Sequence, residues 1–137
     1  MKIGNKKTID IPVLGIDFGK KFVGLSISEP PLNTAFPYKV LEYRNKKDLI
    51  EELLQIIESR NIKHLIVGWP ISLEGKETFQ TKEVEKFVQM LKKYVQIPVD
   101  IVDERLTTKG LPKGAHSSSA ALILERWLER QRPENYF

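Results

Sequence analysis

The chain has 137 residues, 41% of them apolar and 29% charged. That is the mix of one compact domain with a substantial core, not of a disordered tail or a fibre. It has no cysteine and only two histidines, His64 and His116, which excludes disulfide frameworks, thiolate metal sites, cysteine nucleophiles and a histidine-rich zinc site. With 22 Lys and Arg against 18 Asp and Glu, the net charge is +4, which permits nucleic acid as a partner.

The first ten residues carry Lys2, Lys6 and Lys7 with no apolar stretch behind them, so they do not read as a secretory signal. No apolar run approaches the ~20 residues that span a bilayer, and the chain reads as cytoplasmic with no membrane partner. Residues 1–12 read as an N-terminal extension, 13–132 as a single domain and 133–137 as a C-terminal tail. Residues 13–17 form a short apolar run that ends on Asp17. A turn follows at 18–21, and residues 22–28 alternate with the period of a strand. Two such runs across a tight connection predict an antiparallel hairpin. Residues 35–43 predict a third strand, which Pro37 places near an edge.

The pattern then changes. Leu49, Ile50, Leu53, Leu54, Ile56 and Ile57 recur at helical spacing, with Asn45 as N-cap and Asn61 as terminator. Residues 64–67 are a continuous apolar run of the buried parallel-strand kind. Residues 68–75 read as a loop holding Trp69 and Pro70. Val84, Phe87, Val88, Leu91, Tyr94 and Val95 define a second amphipathic helix. Residues 98–102 predict a strand that ends at Asp103, Glu104 and Arg105. A loop follows over residues 109–116. Ala120, Ala121, Leu124, Trp127 and Leu128 then mark a last helix, for which Ser117, Ser118 and Ser119 offer N-caps. The order β-β-β-α-β-α-β-α predicts an α/β fold: three antiparallel strands, then two parallel ones, flanked by helices.

In open α/β sheets ligands gather beyond the carboxyl ends of the strands. Asp17 closes the first strand, and Asp103 and Glu104 close the last. If those strands are neighbours, the acids converge at one edge. Converging carboxylates bind hard divalent cations, and two such ions support phosphodiester cleavage. Each residue also has a plainer role. Asp17 can cap a turn, and the acids at 103–104 can be a solvated cluster. Lys20 and Lys21 can be hairpin-tip solubilisers, and His116 a local cap partner. His64, Trp69 and Trp127 read as structural.

Four segments together resemble a known family. They are residues 13–26 (VLGIDFGKKFVGLS), residues 66–70 (IVGWP) with Gly75, residues 103–108 (DERLTT) and residues 120–124 (AALIL). The chain resembles the YqgF family, also called RuvX or the pre-16S rRNA nuclease family, over about residues 13–130. The resemblance implies an RNase H-like fold with a mixed five-stranded sheet. It implies a Holliday-junction-resolvase-like protein that processes the 5′ end of the small-subunit ribosomal RNA precursor, with Mg²⁺ or Mn²⁺ as cofactor. Asp17 and Glu104 fall on two of the family's acidic site positions. Arg105, Thr107 and Thr108 fall within its third motif, and Lys20, Lys21, Lys109 and Lys113 surround the acidic edge as candidate phosphate contacts.

The chain departs from the family pattern at two places. His116 stands where the family places its third carboxylate. Neutral imidazole can ligate a metal but brings no negative charge, which favours Mn²⁺ relative to Mg²⁺. Only residues 109–115 bridge a segment in which the family carries an extra helix. The expected partner is structured RNA rather than branched DNA, and the expected state a monomer or weak homodimer. A Holliday-junction-resolving DNA nuclease and a non-catalytic nucleic-acid-binding module are the alternatives. A sugar- or acetate-kinase-like ATPase fits the first motif, but its two-domain clamp does not fit this length.

Overall fold

The computed structural model describes residues 11–31, 34–70, 78–103 and 116–131, the last segment with side chains from Ser119 onward. The elements are β1 (Val13–Phe18), β2 (Phe22–Ser28), β3 (Phe36–Glu42), α1 (Lys46–Ser59), β4 (His64–Trp69), α2 (Phe79–Tyr94), β5 (Val99–Asp103) and α3 (His116–Gln131). They form one five-stranded sheet in the order β3-β2-β1-β4-β5. β1 pairs antiparallel with β2 and parallel with β4. β2 pairs antiparallel with β3, and β4 parallel with β5.

β1 lies at the centre because its side chains can be covered on both faces. Leu14, Ile16 and Phe18 point into the larger core with Val23, Leu25, Leu65 and Val67, under α1 and α2. Val13 joins a smaller core on the opposite face with Ile66, Val102, Ile123, Leu124, Trp127 and Leu128, under α3. The sheet is thus sandwiched between two helices and one.

α1 starts as its sequence predicts. The Asn45 side chain accepts from the Asp48 backbone N–H at 2.9 Å, an N-cap worth ~1 kcal/mol. Its C-terminal end turns at Asn61, whose φ of 55° is left-handed, a conformation asparagine tolerates better than most residues. α2 begins five residues before its first apolar marker, Val84. A capping box fixes that start: the Thr78 side chain accepts from Thr81 N–H, and the Thr81 side chain accepts from Thr78 N–H. Thr81 Oγ1 also donates to the Pro70 carbonyl, fastening α2 to the end of β4.

Two expectations need correction. Trp69 belongs to β4, where it pairs with Asp103 of β5, and not to a loop. α3 begins at His116, so Ser117, Ser118 and Ser119 lie inside its first turn instead of capping it. The helical pattern set by Ala120, Ile123, Leu124 and Trp127 extends back one full turn and outweighs the capping tendency of the serines. Among the described residues, no helix is long and apolar enough to cross a membrane.

Candidate active site

Asp17 sits near the carboxyl end of the central strand and is half-buried. It shares a face with Val13 and Gly15, the face that α3 covers. Its register partner on β2 is Gly24. On β4 the position after Val67, the partner of Ile16, is Gly68. Glycine therefore stands on both strands beside the carboxylate.

The placement of α3 decides what else reaches this face. Ser26 Oγ donates to the Ala120 carbonyl at 2.7 Å, in a buried hydrogen bond. A Cβ on Gly15 would lie 2.9 Å from Leu124 Cβ and 3.1 Å from the Ala120 carbonyl oxygen, so helix and strand touch backbone to backbone here. One to two turns on, Trp127 Nε1 donates to Asp100 Oδ2 at 3.1 Å. The Trp127 ring centroid lies 4.7 Å from that of His64, the first residue of β4 and the partner of Val13. From Ala120 to Trp127 the helix therefore travels from Gly15 back towards the start of the sheet, opposite to β1. Followed the other way, His116 precedes Ala120 by one turn, about 6 Å of rise. Asp17 follows Gly15 by two residues, about 6.6 Å. The first turn of α3 lies over the Asp17 end of β1.

Asp17 and Asp103 do not converge as the sequence implies. β4 separates β1 from β5, and the two outer strands are about 10 Å apart. Asp103 follows Val102, which packs under α3, and shares the phase of Val99, which packs against the other core. Asp103 thus stands at the same edge as Asp17 but on the opposite face. Glu104 lies outside the described residues, as do Arg105, Thr107, Thr108, Lys109 and Lys113. His116 is described as the first residue of α3, without its side chain. Among the described residues, no group of three acids and histidines is placed to hold a metal.

The hairpin tip is rigidly held. Tyr43 O–H donates to the Gly19 carbonyl at 2.7 Å, and Gln80 Nε2 donates to the Phe18 carbonyl at 3.3 Å. Burial and the nearby Glu83 carboxylate push the Tyr43 hydroxyl above its ordinary pKa, so it stays a donor. Lys20 is exposed on this turn. Lys21 pairs with Glu42 at 3.8 Å, both side chains well exposed, and such a pair yields readily to a phosphate. His64 is structural, as expected. Its Nε2 lies 3.0 Å from Asp100 Oδ2, at the end of the sheet away from Asp17. Tyr43, Gln80 and Ser26 support the site without having been singled out in the sequence. For Ser26 a signal was there, in the small residues Gly24, Ser26 and Ser28 alternating on one face of β2.

The family model described as RuvX, Holliday junction resolvase, matches residues 12–130. The chain belongs to the RuvX family. Two similar relatives carry the name "Putative pre-16S rRNA nuclease". One, from Maridesulfovibrio salexigens, is 41% identical over 132 residues, covering 86% of this chain and 98% of the relative. The other, from Dictyoglomus thermophilum, is 34% identical over 131 residues, covering 85% and 94%. Among solved structures, Thermus thermophilus RuvC in complex with a Holliday junction superposes with a TM-score of 0.65 at 14% identity, covering 89% of this chain and 96% of that one. Free RuvC from the same organism gives 0.59, also at 14% identity, over 88% and 96%. At that identity the likeness is one of fold, and it establishes the RNase H-like architecture of this RuvX protein.

Proposed function

We propose that this RuvX protein is a metal-dependent endonuclease that trims the 5′ end of the small-subunit ribosomal RNA precursor, with Asp17, Glu104 and His116 as its site. One observation carries the reading: the first turn of α3 lies over the face of β1 that bears Asp17. That brings His116 and Asp17 to one end of one face. The curated relatives that share most of the chain bear the matching name.

The donor set suits a hard cation. Asp17 offers carboxylate oxygen at a half-buried strand end flanked by glycines, and Mg²⁺ or Mn²⁺ prefers oxygen ligands with at most an imidazole added. Such an ion supplies an activated water and stabilises the leaving oxygen in phosphodiester hydrolysis. Of the two acids that follow Val102, Asp103 has the wrong phase for the face of Asp17. Glu104, which the family resemblance places in the site, would be the second ligand. The N-terminus of α3 adds positive potential for the substrate phosphate. Lys20, Lys21, Arg105, Thr107, Thr108, Lys109 and Lys113 are assigned to the nucleic-acid backbone.

The test is Asp17→Asn, which keeps volume and removes charge. It should leave the circular dichroism spectrum unchanged and abolish Mg²⁺-dependent cleavage of a ribosomal RNA precursor fragment. Cleavage of a four-way DNA junction instead of that RNA would move the substrate to branched DNA. Binding without cleavage in the wild type would make the protein a nucleic-acid-binding module. Retained cleavage in Asp17→Asn would remove this residue from the mechanism.

A further inference from the structure

Phe18 follows Asp17 and points to the other face of the sheet. There it stacks on Phe87 with ring centroids 4.3 Å apart and forms part of the wall of a pocket of about 270 Å³. The pocket opens between the β1–β2 turn, the start of α1 and the start of α2. That volume falls just below the range of drug-sized ligand sites and suits a single small group. Three cations line it, Lys20, Arg44 and Lys46, with Glu83 as the opposing acid. Lys46 is turned to Glu83 at 3.6 Å, which leaves Lys20 and Arg44 as the cations to meet a ligand. Phe79, the first residue of α2, stands in the same lining with 69% of its surface in water.

An exposed phenylalanine by itself means little. An exposed aromatic ring beside paired cations, in a concave site, is the pattern by which proteins hold single-stranded nucleic acid: the ring stacks a base and the cations take the phosphate. The pocket lies against the β1–β2 turn that follows Asp17 in the chain. Lys20 stands on the turn that joins the two faces, and the Tyr43 and Gln80 hydrogen bonds fix that turn.

We infer that this pocket binds one nucleotide of the substrate strand, its base stacked on Phe79 and its phosphate held between Lys20 and Arg44, as the strand turns over the sheet edge from Asp17. Naming the strand as substrate rests on the nuclease reading above; the pocket's affinity for single-stranded nucleic acid does not.

The experiment uses short single-stranded RNA in which one 2-aminopurine is walked along the sequence, bound to the full chain carrying Asp17→Asn so that nothing is cut. At one position the 2-aminopurine fluorescence should be quenched. Adding Phe79→Ala should weaken binding about tenfold and abolish that quenching, whereas Phe79→Tyr, which keeps a ring, should preserve both. Arg44→Gln should weaken binding and lower the salt slope by about 0.7. Phe79 and Arg44 are exposed, so neither change should move the melting temperature. If wild-type protein cuts no RNA while these signals persist, the nuclease reading falls and the pocket stands. Unchanged affinity and quenching in Phe79→Ala would overturn the pocket, whatever the wild type cleaves.

Discussion

The contact that aligns α3 with the site can be broken by one methyl group. Gly15→Ala places a Cβ 2.3 Å from Ser26 Oγ, 2.9 Å from Leu124 Cβ and 3.1 Å from the Ala120 carbonyl oxygen. All three belong to the joint between β1, β2 and α3, and Gly15, Leu124 and Ala120 are buried. Overpacking of this kind costs ~1–3 kcal/mol. Relief requires Ser26 Oγ to rotate away from Ala120, which gives up a buried hydrogen bond worth ~1 kcal/mol. Gly15→Ala should therefore destabilise the protein by about 2–4 kcal/mol, read as a lower urea midpoint at unchanged slope. Ser26→Ala loses only the hydrogen bond and should cost ~1 kcal/mol.

The double variant separates this account from a general loss of packing. With Ser26→Ala in place, the atom at 2.3 Å is gone, and the nearest atoms left to the new methyl belong to α3. The double variant should be more stable than the sum of the two losses by ~1 kcal/mol or more. Additivity to within ~0.5 kcal/mol, the behaviour of independent sites, would refute the reasoning. Cleavage should fall more in Gly15→Ala than in Ser26→Ala, because only the former pushes the helix off the sheet.

Three further outcomes follow from the same geometry. His116→Asp should raise Mg²⁺ affinity and cleavage, and His116→Ala should lower both, in titrations of rate against Mg²⁺; identical curves would make His116 a helix-start residue only. If Lys20, Lys21, Arg105, Lys109 and Lys113 each neutralise one phosphate, these five should contribute about −3.5 to the log–log salt slope of single-strand binding, and a flat response would place the strand elsewhere. Tyr43 holds its proton more tightly folded than at its ordinary value of 10.0. Above that pH the unfolded chain gives up this proton first, so its contribution to stability falls as pH rises; Tyr43→Phe should flatten this alkaline loss, seen as the difference between the two melting curves.

The elements with strong local rules are legible in the sequence. β1 announces itself as an apolar run closed by Asp17, and α1 by its period and by Asn45. The start of α2 is hidden because its capping box pairs two threonines, Thr78 and Thr81, ahead of any apolar period. The start of α3 is hidden because three serines look like caps. The phase of the acids is hidden for a different reason. β5 is an edge strand in which both Asp100 and Ile101 are exposed, so alternation does not say which of Asp103 and Glu104 belongs with Asp17. The pairing of Val102 with Gly68 fixes the face of Asp103 alone. The joint at Gly15 could not be read at all, since the hydrogen bond that marks it links residues 94 positions apart.

That joint ties the chemistry to the packing. α3 is fixed at two levels, by Ser26 on Ala120 and by Asp100 on Trp127. Neither contact lies at the Asp17 end of the sheet, yet together they set the height and direction of the first turn. Any gain from His116→Asp depends on that turn lying over Asp17. In a Gly15→Ala background the helix is displaced, so the added carboxylate should lose its effect on the Mg²⁺ titration even where enough protein remains folded to bind RNA. In a Ser26→Ala background, where the helix loses a bond but is not pushed away, most of the gain should remain. An equal gain in the Gly15→Ala background would mean that residue 116 acts on the metal through a path other than the docking of α3.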